Sequence, residues 1–142
     1  MHIRTAEAED FDAVLSLLHQ LWPGKELNQD SLQGIFNQGI ENNDSVYLCA
    51  VTNGNVIGFC AMNIRDSFWQ AGLLAYIEIV VVDNSVRGQG IGTRLMEEAI
   101  DIARERGCKK LELDSAFHRE KAHGFYERNG LIKRGYIFSR DL

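Results

Sequence analysis

Several features that would narrow the class of protein are missing from this sequence of 142 residues. No apolar run reaches the roughly 18 residues of a membrane-spanning helix, so no contact with a membrane is predicted. The single proline is Pro23, and no proline-rich or low-complexity tract divides the chain, so we expect one domain over residues 1–142. The first residues lack the apolar stretch of a secretory signal peptide, which predicts a cytoplasmic protein.

Cysteine usage and net charge exclude further classes of protein. The three cysteines, Cys49, Cys60 and Cys108, form no Cys-x-x-Cys pair, and their odd number does not indicate a disulfide framework. We therefore predict buried reduced thiols and no metal site. The formal net charge of −5 argues against nucleic acid as a partner, because the phosphate backbone attracts basic proteins.

What the sequence does contain is a mixture of helical and strand periodicity. Between Glu7 and Trp22 apolar residues recur at intervals of three and four, which predicts an amphipathic helix. Val46–Val51 and Val56–Ile64 flank an Asn-Gly turn, which predicts a hairpin. The remaining predicted elements are helices at 28–41, 91–106 and 118–128, strands at 2–6, 73–82 and 110–114, and a final strand or hairpin at 131–139.

The strongest motif is a glycine-rich loop between the strand at 73–82 and the helix at 91–106. Residues 87–92 read Arg-Gly-Gln-Gly-Ile-Gly. Glycine allows positive φ and lets a ligand approach the backbone without meeting a Cβ atom. Because the unpaired N–H groups at the start of a helix bind anions, the loop predicts a pyrophosphate site. The alternative is a tight strand-to-helix turn with no ligand.

Two other phosphate-binding patterns match this loop less well. A P-loop needs Gly-Lys-Ser/Thr, and no lysine lies in the loop. The dinucleotide-binding fingerprint needs G-x-G-x-x-G, whereas the spacing here is G-x-G-x-G. Glu112 does lie about 20 residues after Gly92, where that fold places its ribose-binding acid. However, the preceding hairpin and the short remaining chain are not typical of a doubly wound sheet.

At this loop the sequence resembles the GNAT superfamily of N-acetyltransferases, whose signature is Arg/Gln-x-x-Gly-x-Gly/Ala. The resemblance extends to Ile3-Arg4-x-Ala6 with Asp10, to Val56-Ile57-Gly58-Phe59, and to Ala-His-Gly-Phe-Tyr-Glu-Arg-Asn-Gly-Leu at 122–131. It covers nearly the whole chain. It implies an α/β fold of mixed α+β type, a single domain with a central, mostly antiparallel, splayed sheet of about six to seven strands and about four flanking helices.

The resemblance also implies an acetyl-CoA site at particular positions. The backbone of Val80, Val81 and Val82 would pair with the pantetheine arm as if with an added strand. Tyr126 would lie near the thioester sulfur and serve as general acid. The family often has an asparagine seven residues before this tyrosine; here the position is Arg119, which we expect to contact a phosphate or a carbonyl instead. The pyrophosphate would lie against Arg87, Gly88, Gln89, Gly90, Ile91, Gly92 and Thr93.

Glu78 is our candidate for the base that takes the proton of the acceptor amine. It is the one charged residue in the apolar strand at 73–82, and a regular strand would place it on the same side as Val80. Its alternative interpretation is a carboxylate that faces solvent or is paired structurally. His118 and Asp114 are rival bases, and Tyr126 has its own alternative as a core aromatic.

These residues predict an acetyl-CoA-dependent N-acetyltransferase that acts on a primary amine by direct attack in a ternary complex. We expect a small-molecule acceptor of the aminoglycoside, polyamine or amino-acid type. The alternatives are a protein lysine or N-terminal acetyltransferase, and a CoA-binding regulator without catalysis. The resemblance also implies a homodimer. Four aromatic residues could shape the acceptor pocket: Trp22, Phe68, Trp69 and Tyr76. For Phe68 and Trp69, which stand together in the loop before the strand at 73–82, a dimer contact is the alternative.

Overall fold

The computed structural model describes all 142 residues, which divide into two compact units, Met1–Glu112 and Leu113–Leu142. The first unit contains most of the regular structure. Its elements follow the order β1 (His2–Thr5), α1 (Phe11–Leu21), α2 (Gln29–Glu41), β2 (Ser45–Thr52), β3 (Asn55–Ser67), β4 (Gly72–Val82), α3 (Ile91–Glu105) and β5 (Lys110–Leu113), of which the last residue is assigned to the second unit. The second unit contains α4 (Glu120–Arg128).

The strands form one five-stranded sheet in the order β1-β2-β3-β4-β5. The first four strands pair antiparallel. Short turns join β2 to β3 and β3 to β4, whereas α1 and α2 lie between β1 and β2 in the chain. The turn between β2 and β3 places Asn53 and Gly54 at φ values of 50° and 77°, the left-handed conformation that a two-residue hairpin loop requires. The helix α3 lies between β4 and β5 in sequence, which makes the sheet mixed and confirms the predicted α/β class.

One face of the sheet packs against α1 and α2. The apolar residues of α1 recur every three or four positions, so Phe11, Val14, Leu17 and Leu18 all point into the same core and are buried. From the sheet, the residues buried in this cluster are Tyr47, Cys49, Val51, Phe59, Ala61, Ile79 and Val81. The helix ends at Leu21, and its C-cap Trp22, the residue before Pro23, has already left helical geometry.

The helix α3 packs against β3 and β4 at a position set by a glycine. A Cβ atom on Gly58 would lie 3.0 Å from Leu95 Cδ1, so glycine allows helix and strand to approach closely. At its other end α3 stops in a Schellman arrangement: Gly107 has φ 78°, and Cys108 N donates to Ala103 O at 2.9 Å. These contacts fix the helix whose first residues follow the glycine-rich loop.

The predicted burial of the thiols is confirmed for two of the three cysteines. Cys49 and Cys60 are fully buried, and their burial raises the pKa of each thiol to about 12. Cys108 is only half-buried. None of the four α-helices has the length and apolar character of a membrane span.

In the second unit, α4 is present, but the predicted strand or hairpin at 131–139 is not: residues 131–142 form no regular structure. The sheet therefore has five strands instead of about six to seven. A strand is stable only when it pairs with another strand, and the second unit contains no complete strand. Its apolar side chains are exposed: Ile132, Tyr136, Ile137, Phe138 and Leu142.

Candidate active site

The glycine-rich loop joins the end of β4 to the start of α3 and contains two left-handed residues. Gly88 has φ 78° and Gly90 has φ 80°. No atom lies within 4 Å of the point where a Cβ atom would stand on either residue. Glycine is therefore required by the backbone conformation and not by crowding, and the space above both residues is open to a ligand.

The first turn of α3 offers backbone donors to that space. The first hydrogen bond within the helix runs from Arg94 N to Gly90 O at 3.1 Å, so the amides of Ile91, Gly92 and Thr93 have no carbonyl inside the helix to donate to. No side chain caps this end, and no acidic residue lies in the first turn. The positive end of the helix dipole is left without a protein anion, which favours binding of an anionic group such as a diphosphate.

A hydrogen-bond network holds the start of the loop against α1. Asp83 Oδ1 accepts hydrogen bonds from Ser85 Oγ at 2.6 Å and from Ser85 N at 2.9 Å. On α1, Gln20 donates to Asp83 Oδ2 at 3.3 Å and accepts from Asn84 N at 2.8 Å. These bonds from Ser85 and Gln20, with the charge of Arg87, lower the pKa of Asp83. Sequence reasoning missed Gln20, because it lies 63 positions from Asp83 and belongs to no local pattern.

The residues predicted to bind the cofactor in this unit lie at the end of β4, in the glycine-rich loop and in the first turn of α3. Gly88, Gln89 and Gly90 are exposed, whereas the Ile91 side chain is buried in the core and leaves only its amide available. Arg87 Nε donates to Val82 O at 3.0 Å, so this guanidinium lies beside the end of β4. Val80, Val81 and Val82 form that strand end and pair with β3 opposite Cys60, Phe59 and Gly58.

Glu78 occupies an irregular position in β4. Ile77 pairs with Met62 and Ile79 with Ala61, so Glu78 is an extra residue in β4, a β-bulge. Its side chain is exposed, although both neighbours are buried. The regular alternation that would place Glu78 on the same side as Val80 is interrupted at this bulge. Bulges re-aim side chains next to active sites, and this one presents a carboxylate at the middle of the sheet.

The second unit carries the other two assigned residues. Tyr126 is half-buried in α4, and its ring centroid lies 5.5 Å from that of Phe125. Arg119 is the N-cap of α4 and, with His118 and Lys121, lines an open depression of about 420 Å³. Both rival bases, His118 and Asp114, are exposed.

The four aromatic candidates are not equivalent. Trp22 packs against the core cluster, and Lys25 Nζ lies 5.3 Å from its ring centroid. Tyr76 on β4 lies under the Arg65 guanidinium at 5.5 Å. Phe68 and Trp69 are exposed at the tip of the β3–β4 hairpin.

Comparison with known proteins agrees with this geometry. The model of the acetyltransferase (GNAT) family matches residues 11–131. Aminoalkylphosphonate N-acetyltransferase from Salmonella typhimurium is 30% identical over 140 residues, which cover 99% of this chain and 90% of that protein. Glucosamine 6-phosphate N-acetyltransferase from Trypanosoma brucei brucei is 33% identical over 135 residues, which cover 92% of this chain and 88% of that protein.

A solved structure gives the same result for the fold. A putative acetyltransferase from Agrobacterium tumefaciens superposes with a TM-score of 0.89 at 26% identity, and the match covers 100% of both chains. The glycine-rich turn before α3, the family match and these relatives together show that the chain belongs to the GNAT family of N-acetyltransferases, acyltransferases that take their acetyl group from acetyl-CoA.

Proposed function

We propose that this enzyme transfers the acetyl group of acetyl-CoA to the primary amine of a small molecule. The observation that carries the proposal is the open turn at Gly88 and Gly90, followed by the free amides of Ile91, Gly92 and Thr93. A diphosphate fits this turn, because its charge matches the uncompensated end of α3 and no Cβ atom blocks its approach.

The two N-acetyltransferases described above narrow the range of acceptor amines that we propose. An aminoalkylphosphonate and glucosamine 6-phosphate both combine an amine with a phosphorus oxyanion. We therefore place amines that carry a phosphonate or phosphate first among the acceptors, ahead of aminoglycosides, polyamines and amino acids. Protein acetylation and a purely regulatory CoA-binding role remain the competing functions, and a cytoplasmic homodimer remains part of the prediction.

Glu78 is proposed as the base. At pH 7 an alkylamine with a pKa near 10.4 is in its free-base form only about once in 2,500 molecules, so proton removal limits the attack. The exposed carboxylate at the β4 bulge can take this proton, either directly or through a water molecule. The amine nitrogen then attacks the thioester carbonyl carbon, a C–N bond forms, and the nitrogen gives up its second proton to water.

Collapse of the tetrahedral intermediate breaks the C–S bond and releases CoA as a thiolate. We propose Tyr126 as the acid that gives this sulfur its proton, as the family resemblance implies. A backbone N–H near Val80–Val82 is proposed to stabilise the oxyanion, in the way that preorganised amides do in other acyl transfers. Arg119 is proposed to contact a phosphate or a carbonyl of the cofactor.

Amine-dependent release of the CoA thiol tests this function. The enzyme is mixed with acetyl-CoA and, in turn, 2-aminoethylphosphonate, glucosamine 6-phosphate, spermidine, kanamycin, glycine and a lysine-containing peptide, with an amine-free reaction as control. We expect the two phosphorus-containing amines to give the highest kcat/KM. Turnover with the peptide alone would indicate a protein acetyltransferase, and tight CoA binding without turnover would indicate a regulator.

A further inference from the structure

Tyr47 lies in the middle of β2, and its ring is held on three sides. Its centroid is 5.8 Å from that of Phe36 on α2 and 5.7 Å from that of Phe59 on β3. Gly39 on α2 lies against the far end of the ring, where a Cβ atom would overlap both the ring and the hydroxyl. The missing side chain at Gly39 therefore leaves the space that the phenol occupies.

The hydroxyl makes no hydrogen bond to the protein in this packing. The neighbouring buried aromatic residues of the core are phenylalanines, with exposures of 3% to 4%, and Tyr47 is slightly more exposed, at 8%. Its oxygen is not among the buried atoms sealed from solvent. Because a tyrosine hydroxyl in such surroundings normally finds a partner, this oxygen is available to a ligand that reaches it from solvent.

The same hydroxyl lies within the field of Glu78. In the sheet, Tyr47 pairs with Ala61, and Ala61 pairs with Ile79, the residue directly after the bulge. Burial raises the pKa of Tyr47, and the negative charge of Glu78 raises it further. Because directly paired residues point to the same face of a sheet, Tyr47, Ala61 and Ile79 lie on one face. Glu78 is next to Ile79, which brings the carboxylate at the bulge and the hydroxyl toward a common region.

We infer that Tyr47 and Glu78 together receive the acceptor's amine, the phenol oxygen and the carboxylate each accepting one of its N–H hydrogen bonds. An ammonium group has three donors and needs acceptors at fixed positions. Tyr47 orients the nitrogen, and Glu78 takes its proton. This inference rests on the proposed function. In it, α2 positions the hydroxyl, because Gly39 leaves the space that the phenol occupies.

Replacement of Tyr47 by phenylalanine tests the inference, since it keeps the ring contacts and removes only the hydroxyl. With 2-aminoethylphosphonate or glucosamine 6-phosphate, whichever turns over faster, we expect kcat/KM for the amine to fall about tenfold or more, the effect of one lost hydrogen bond to a charged group. The affinity for that amine, measured by calorimetry on the CoA complex, should weaken equally, while the affinity for acetyl-CoA stays unchanged.

Two comparisons complete the test. Tyr136→Phe, at an exposed tyrosine in residues 131–142, is the matched control and should behave like the wild type. In Glu78→Gln, the additional loss caused by Tyr47→Phe should shrink, because the two groups hold the same nitrogen. Wild-type kinetics and amine affinity in Tyr47→Phe would overturn the inference alone, whereas absence of turnover in the wild type with every amine would overturn the proposed function as well.

Discussion

Arg4 and Asp10 form an ion pair near the N-terminus that ties β1 to the turn before α1. Arg4 Nη1 lies 2.7 Å from Asp10 Oδ2, and the same oxygen accepts a hydrogen bond from Glu7 N at 2.8 Å. Asp10 is buried, so loss of one partner leaves a desolvated group unpaired. The residues that resemble the family's opening strand and first helix thus have a structural function.

Asp10→Asn is expected to destabilise the fold by about 1–3 kcal/mol. The hydrogen bonds from Arg4 hold the pKa of Asp10 below its ordinary value of 3.8, against the opposing effect of burial. Because the folded pKa lies below the unfolded one, this stabilisation is present above about pH 4 and is lost as pH falls through the folded pKa. Urea unfolding at pH 7 and at pH 3 should therefore show a smaller difference between wild type and variant at pH 3. Asp12→Asn, at an exposed neighbour, is the control. If it lowered the free energy of unfolding as much as Asp10→Asn does, the Arg4–Asp10 ion pair would not be the cause.

The two proposed proton-transfer residues are tested by Glu78→Gln and Tyr126→Phe. Each should lower kcat for acetyl transfer by about 10²-fold or more, the usual contribution of a general base or acid. Binding of acetyl-CoA, followed by calorimetry, should remain within twofold of the wild type. Glu105→Gln, exposed at the end of α3, is the control for Glu78. Unchanged turnover in both active-site variants would contradict these assignments.

At the scale of elements, the connection from β4 to α3 is the proposed site of the cofactor. Gly90→Val places a branched side chain at φ 80° and in the space where the diphosphate is proposed to lie. We expect the Kd for acetyl-CoA to rise at least about tenfold, through strain and blocked approach. Gly24 has nearly the same φ, 79°, with equally open surroundings, so Gly24→Val should cost similar stability without weakening cofactor binding. If both variants bound acetyl-CoA normally, the loop would not be the cradle.

Sequence patterns predicted those elements whose signals are local. The glycine spacing identified the turn at Gly88 and Gly90, and the helix predicted at 91–106 is α3, Ile91–Glu105. The bulge at Glu78 could not be predicted from the sequence, because the apolar residues of β4 continue on both sides of it. Only the pairing with β3 shows that Glu78 is an extra residue. Tyr47 also escaped notice, since its position depends on Gly39 in another element.

At the scale of the whole molecule, the strand or hairpin predicted at 131–139 was wrong for the same reason: the outcome depends on contacts with other elements. The local composition predicts a strand, but a strand exists only if a partner is available, and the sequence does not contain that information. The mixture of helical and strand periodicity predicted a mixed α and β protein, and the family resemblance implied the mostly antiparallel sheet and the four helices. The acceptor was not, because its recognition depends on side chains from separate elements.

The exposed apolar residues bear on the assembly of the whole molecule. Phe68 and Trp69, at the hairpin tip, are exposed by 108% and 84%, which is unusual for large aromatics in water. Together with the family resemblance, this predicts a homodimer. Light scattering after size-exclusion chromatography should give twice the chain mass of 16.0 kDa. For the Phe68→Ser, Trp69→Ser double variant, the measured mass should fall toward that of one chain. A monomer at 100 µM wild-type protein would contradict the prediction.

The central claim is that backbone amides at the β4–α3 turn hold the diphosphate of acetyl-CoA. An amide-resolved NMR titration with acetyl-CoA measures this directly, because each N–H from Gly88 to Thr93 gives its own signal. We predict that these signals shift the most, saturate with a single Kd, and shift far less when pantetheine, which lacks the diphosphate, is added instead. Saturable binding of acetyl-CoA that leaves the amides of residues 88–93 unperturbed would contradict the account.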